Sequence, residues 1–242
     1  MMKPFNFSVF CMLMCSIALV SCNSGDDDEN IGGDVRSYTS CPDSHHPHLI
    51  DLGLPSGTKW ACCNVGASKP EDYGGYFAWG ETVEKDYYDW NTYLYGQDDL
   101  HIDDIGKDIA GTQYDAATAN WGNPWVMHND EQLLELLYSN AGLGWITENG
   151  VIGCRITGTN GTSIFLPAAG YHEGNLKAAG GYGCFWSSTL YELSKNCAWH
   201  FYCGSWATPY SVQPERSTIT SYLCHIINGR EKGLSVRSVV KN

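Results

Sequence analysis

From residue 48 onwards, the chain is a succession of short runs rich in β-branched and aromatic residues, and glycine or proline punctuates the gaps between them. The runs cover residues 49–54, 59–65, 76–79, 152–157, 163–166, 185–188, 198–202 and 234–240. Runs of this length and spacing are typical of antiparallel strands. Hydrophobic residues make up 43% of the chain, which is enough for a core. The pattern therefore predicts an α+β fold that is weighted towards β-structure and rich in loops.

Local signals predict one hairpin and two short helices. The dipeptide Asn160-Gly161 lies between two strand-like runs and favours the positive φ angles of a type I′ turn. Asp115 is placed to cap a helix over residues 116–121, and Asp130 or Asn129 is placed to cap one over residues 131–139.

The first residues have the pattern of an export signal. Lys3 precedes an uncharged, mostly apolar run over residues 5–20, which is shorter than a membrane-spanning helix requires. The end of this run, Leu19-Val20-Ser21-Cys22, resembles a lipobox, which predicts cleavage before Cys22 and attachment of lipid to that cysteine. We therefore expect a signal peptide in residues 1–21, a flexible acidic tether in 22–47 and one domain in 48–242.

The acidic sequence at residues 26–29 (Asp-Asp-Asp-Glu) resembles the export tag that directs lipoproteins to the outer surface in Bacteroides-type bacteria. It also favours a solvated tether. We expect a lipid anchor in the outer membrane and a domain that faces outwards.

Five sequence blocks resemble the Fibrobacter succinogenes major paralogous domain family. They are DLGLPSGTKWACCNVG at 51–66, PEDYGGYFAWGE at 70–81, DAATANWG at 115–122, IFLPAAGY at 164–171 and GLSVR at 233–237. The resemblance covers essentially the whole predicted domain. It implies a C-type-lectin-like fold, similar to that of formylglycine-generating enzymes, but it implies no established activity.

Composition restricts the partners. The formal net charge is −13, and only 14 Lys and Arg residues are present, so the chain lacks the basic stripe that binds phosphates. We expect no nucleic-acid partner. The expected partners are the membrane, through the N-terminal lipid, and a glycan or protein ligand.

No motif predicts catalysis, a metal site or a cofactor, and we assign none. Enzymes of the fold that the resemblance implies bind copper with a cysteine pair, which makes Cys197 and Cys203 the candidates here, but on a strand they would lie about 20 Å apart. The histidines of His45-His46-Pro47-His48 are interpreted as a linker cluster without fixed geometry. Eight cysteines remain after the signal peptide and Cys22 are set aside, and we expect zero to two disulfides among them.

The candidate ligand contacts lie near the carboxy terminus. In the C-type-lectin-like fold that the resemblance implies, the carboxy-terminal strands and loops form the recognition face of relatives that retroelements diversify. If Trp199 and Phe201 face inwards on their strand, His200 and Tyr202 face outwards, and Trp206 and Tyr210 follow in the next loop. We expect His200, Tyr202, Trp206 and Tyr210 to contact the ligand.

Three functions are compatible with the sequence. The first is a surface-exposed binding lipoprotein, such as a retroelement-diversified receptor or an adhesin. The alternatives are an oxidoreductase of the formylglycine-generating kind and a structural component of the cell envelope that binds no ligand. Export and the 15 Tyr and 9 Trp residues favour the first, because both side chains provide large contact areas at low entropic cost.

Overall fold

The computed structural model describes residues 37–38, 44–204 and 223–240. Thirteen strands and two helices lie in these ranges. They are β1 (Ser37–Tyr38), β2 (Leu49–Asp51), β3 (Lys59–Ala61), α1 (Ala116–Trp121), β4 (Val126–Met127), α2 (Asp130–Tyr138), β5 (Gly142–Glu148), β6 (Val151–Thr157), β7 (Ser163–Pro167), β8 (Tyr171–Glu173), β9 (Asn175–Lys177), β10 (Tyr182–Leu190), β11 (Cys197–Gly204), β12 (Leu223–Gly229) and β13 (Ser238–Val240). The predicted β-weighted fold with few helices is confirmed.

The strands form small sheets, and nearly all of their pairs are antiparallel. One sheet has the order β1-β2-β3-β13-β4, so the last strand of the chain inserts between β3 and β4. Two further sheets have the orders β5-β6-β7 and β10-β11-β12, and β8 and β9 form a separate hairpin. β1 is parallel to β2 and lies within the stretch that we expected to be tether.

The hairpin between β6 and β7 is confirmed, but its turn differs from the prediction. The last strand pair is Thr157 with Ser163, which leaves a five-residue loop over 158–162. Within this loop Gly161 has a positive φ of 86°, whereas Asn160 does not. The Asn160 side chain instead accepts from the Thr162 N–H and donates to the Asp51 carbonyl oxygen. A side chain bonded in this way stabilises a longer loop than a two-residue turn.

Both predicted helices form. Asp115 caps α1 by accepting from the N–H groups of Ala117 and Thr118. α2 begins one residue earlier than predicted because Asn129, rather than Asp130, accepts from the Gln132 N–H. The Gln132 side chain accepts from the Asn129 N–H in return, which completes a capping box. None of the helices in the described ranges is long and apolar enough to cross a membrane.

Two hydrophobic cores cover opposite faces of the sheet formed by β10, β11 and β12. Phe185 and Phe201 belong to the first core, which also contains Trp60. Trp186 on β10 and Ala198 on β11 belong to the second. Successive residues on a strand point to opposite faces, so this central sheet contributes side chains to both cores.

A buried guanidinium connects the sheets. Arg237, which immediately precedes β13, is fully buried. It donates to the side-chain oxygen of Asn64 (2.9 Å) and to the carbonyl oxygens of Ala61 on β3 (3.1 Å) and Phe165 on β7 (2.8 Å). One side chain thus satisfies three acceptors from two segments of the chain, residues 61–64 and β7.

We predict that Arg237→Met destabilises the domain by about 3–5 kcal/mol, because it leaves buried acceptors without donors. Arg155→Met is the matched control, since the Arg155 side chain is largely exposed and pairs with Glu148 at the surface. That change should lower the free energy of unfolding by about 1 kcal/mol or less. Urea unfolding of both variants measures the difference, and equal losses would contradict the role given to Arg237.

Candidate functional site

The structure describes two of the four predicted ligand contacts, His200 and Tyr202. Trp206 and Tyr210 lie outside the described residues, as do Cys22 and the acidic sequence that follows it. Tyr202 is half-buried. His200 is only 1% exposed, so the expectation that it faces outwards is wrong.

The reason is that both faces of β11 are covered. His200 lies opposite Trp186 on β10, and their rings are in contact with centroids 5.8 Å apart. On the other face Phe201 is fully buried, but Trp199 is only half-buried and stacks on the ring of His225. Alternation along a strand predicts which residues share a face, but it does not show whether that face is exposed.

The buried position of His200 makes the stability of the fold depend on pH. Burial, with smaller contributions from the neighbouring His225 and Lys232, lowers the pKa of His200 to about 3. Because the unfolded chain has the higher pKa, it takes up this proton first as the pH falls. The stabilising contribution of neutral His200 is therefore complete above pH 6.5 and is lost progressively towards pH 3.

We predict that His200→Gln, which cannot titrate in this range, reduces the pH dependence of stability. Between pH 7 and pH 5 the unmodified chain should lose about 2 kcal/mol more of its free energy of unfolding than the variant does. Urea unfolding at both pH values provides the measurement. Parallel stability curves for the two proteins would show that His200 does not titrate as described.

A row of three half-buried tyrosines lies beside the position of His200. Tyr182 on β10 stacks against Tyr171 on β8, with ring centroids 6.0 Å apart and planes inclined by 22°. Tyr182 also contacts Tyr202 on β11 at a centroid distance of 4.7 Å. The inner parts of all three rings pack against the second core. We call these three residues the tyrosine strip.

Charged side chains lie at the Tyr171 end of the tyrosine strip. Glu173 pairs with Lys177 at 2.8 Å and with Lys232 at 3.1 Å. The Lys232 ammonium also lies 5.8 Å from the centroid of the Tyr171 ring, within the range of a cation–π contact. Aromatic rings, a carboxylate and two ammonium groups are thus adjacent to one another.

The cysteines on β11 do not form a pair. β11 pairs with β12 at every position from Cys197 to Cys203, so the strand does not bend to bring its ends together. The two residues are therefore about 20 Å apart along the strand. Burial raises the pKa of both thiols. Both residues carry free thiols.

A second cluster of functional side chains lies at the start of the domain. Nδ1 of His46 is 3.2 Å from Sγ of Cys62, and Nδ1 of His48 is 3.7 Å from the same sulfur. The backbone N–H of His48 also donates to this sulfur at 3.2 Å. The interpretation of these histidines as a linker cluster without fixed geometry is therefore wrong. Sequence reasoning missed the contact because it requires the register of β2 against β3.

The surroundings of Cys62 favour its thiolate form. Hydrogen bonds with the Cys63 side chain, the His48 backbone N–H and the imidazoles of His46 and His48 lower its pKa to about 4, although burial opposes the shift. The guanidinium of Arg237 is close by, since it donates to the carbonyl oxygen of the preceding residue, Ala61. Donors and a cation therefore surround a buried sulfur.

Comparison of the chain with family models found no match, and neither the curated proteins nor the solved structures compared with it gave one.

Proposed function

We propose that the chain is a surface-exposed lipoprotein whose domain binds a glycan through the tyrosine strip. The lipobox-like sequence at Cys22 and the acidic residues after it support export and anchoring in the outer membrane. The sequence blocks that resemble the Fibrobacter succinogenes major paralogous domain family support a C-type-lectin-like fold. The β-weighted architecture is compatible with that fold.

The observation that carries the proposal is the contiguity of Tyr171, Tyr182 and Tyr202 with the charged side chains of Glu173 and Lys232. Aromatic faces pack against the apolar C–H faces of sugar rings. Carboxylate oxygens accept from sugar hydroxyls, and ammonium groups donate to them. Both kinds of contact are available here within one surface.

The strip is also held rigidly. Tyr182 and Tyr202 lie on neighbouring strands of one sheet, and Tyr171 is in the β8–β9 hairpin, opposite Lys177. Ring-to-ring contacts and packing against the second core restrict their rotamers before a ligand binds. Preorganised aromatic side chains lose little conformational entropy on binding.

We predict that Tyr171→Ala weakens glycan binding about 10-fold or more, a loss of about 1.4 kcal/mol. The full chain in detergent is screened on a glycan array, and the affinity for the strongest glycan is then measured by calorimetry. Tyr171→Phe retains the ring and should retain most of the affinity.

Tyr138→Ala is the matched control, because Tyr138 is an exposed tyrosine at the end of α2, outside the tyrosine strip. It should bind as the unmodified chain does. Equal effects of Tyr171→Ala and Tyr138→Ala, or binding only to proteins on a parallel protein array, would contradict the proposal of a glycan ligand.

The proposed anchor gives a separate prediction. Cys22→Ser removes the only thiol to which the lipid is expected to attach, so the variant should not carry a diacylglyceryl group on residue 22. Mass spectrometry of the amino-terminal peptide and membrane fractionation measure this. Unchanged membrane association of Cys22→Ser in cells would contradict lipid anchoring at this residue.

A further inference from the structure

Two imidazoles and a thiol, which are common metal ligands in proteins, come together at the start of the domain. Leu49 on β2 pairs with Ala61 on β3, and the next pair outwards is His48 with Cys62, joined by the bond from the Cys62 N–H to the His48 carbonyl oxygen (3.0 Å). His46 lies two residues before His48, and its Nδ1 reaches the same sulfur at 3.2 Å. The two imidazoles and the thiol therefore converge.

The spacing of these donor atoms matches tetrahedral coordination. Zinc binds imidazole nitrogen at roughly 2.0–2.1 Å and thiolate sulfur at roughly 2.3 Å, so neighbouring ligand atoms lie about 3.3–3.6 Å apart. The two imidazole nitrogens lie 3.2 Å and 3.7 Å from Sγ of Cys62. All three ligand atoms lie within 4.8 Å of one another. A metal ion can therefore be bound with only small movements of the side chains.

We propose that His46, His48 and Cys62 bind Zn²⁺ and that the ion fastens residues 44–48 to the end of β3. One sulfur and two nitrogen ligands suit zinc better than calcium or magnesium, which prefer oxygen. Within the described ranges these three residues supply the ligand atoms, which leaves one tetrahedral position for a further ligand.

The hydrogen bonding of the Cys62 sulfur also suits a metal-bound thiolate. The His48 backbone N–H donates to the Cys62 sulfur, which is the kind of outer hydrogen bond that orients a metal-bound thiolate. His48 and Cys62 are buried, whereas His46 is half-buried, so an ion can enter from the His46 side. The site does not include the tyrosine strip, and it does not depend on glycan binding.

The test measures Zn²⁺ and Co²⁺ binding by the full chain, purified in detergent with its thiols reduced. We expect one Zn²⁺ per chain by equilibrium dialysis and elemental analysis. Co²⁺ should give a sulfur-to-cobalt charge-transfer band together with intense tetrahedral d–d bands. Zn²⁺ at a hundred times its Kd should raise the Tm by about 5 °C or more.

Variants at two of the three ligands and at two control residues distinguish this site from others. Cys62→Ser should abolish the charge-transfer band, and His46→Ala should weaken Zn²⁺ binding about 10-fold or more while leaving the metal-free Tm nearly unchanged. His45→Ala and Cys197→Ser are the controls and should behave as the unmodified chain. The proposal would be overturned if the charge-transfer band persisted in Cys62→Ser or if the controls lost as much Zn²⁺ affinity as the ligand variants. Uptake of Cu⁺ in place of Zn²⁺ would also overturn it.

Discussion

The buried guanidinium of Arg237 is the interaction on which the rest of the structure depends. It satisfies acceptors on β3, on β7 and in the turn that contains Asn64, so it joins the five-stranded sheet to the sheet of β5, β6 and β7. The carbonyl oxygen of the same residue lies 2.8 Å from Nδ1 of the buried His128, which precedes α2. In a fold of short strands and long loops, such bonds replace the extended ladders that stabilise larger sheets.

This arrangement also positions the two candidate sites. Arg237 donates to the carbonyl oxygen of Ala61, and the next residue is Cys62, whose sulfur contacts His46 and His48. The segment that leads from Gly233 to Arg237 runs past β10, because Ser235 bonds to the backbone of Cys184 and Trp186. The carboxy-terminal segment therefore connects the cluster of His46, His48 and Cys62 with the sheet that carries Tyr182 and Tyr202.

Local signals in the sequence predicted local structure well. Asp115 marked the start of α1, and the run before Asn160-Gly161 marked the β6–β7 hairpin, because capping and turn formation involve residues close in the chain. The burial of His200 could not be predicted in the same way. It depends on a second core that packs on a strand face which alternation alone would leave open to solvent.

The contact of His46 and His48 with Cys62 was missed for a related reason, since it follows from the register of two strands separated by a loop. Tyr202 was predicted as a surface residue, but its neighbours Tyr171 and Tyr182 come from other strands. The resemblance to a known family stays a prediction about the fold.

The central claim is that the tyrosine strip is the ligand-binding surface. NMR of the full chain with ¹³C-labelled tyrosine rings, titrated with the strongest glycan from the array, tests this claim most directly. The account predicts saturable shifts of the Tyr171, Tyr182 and Tyr202 ring signals and no shift of Tyr138. Saturable shifts confined to Tyr138 or to other tyrosines outside the strip would contradict it.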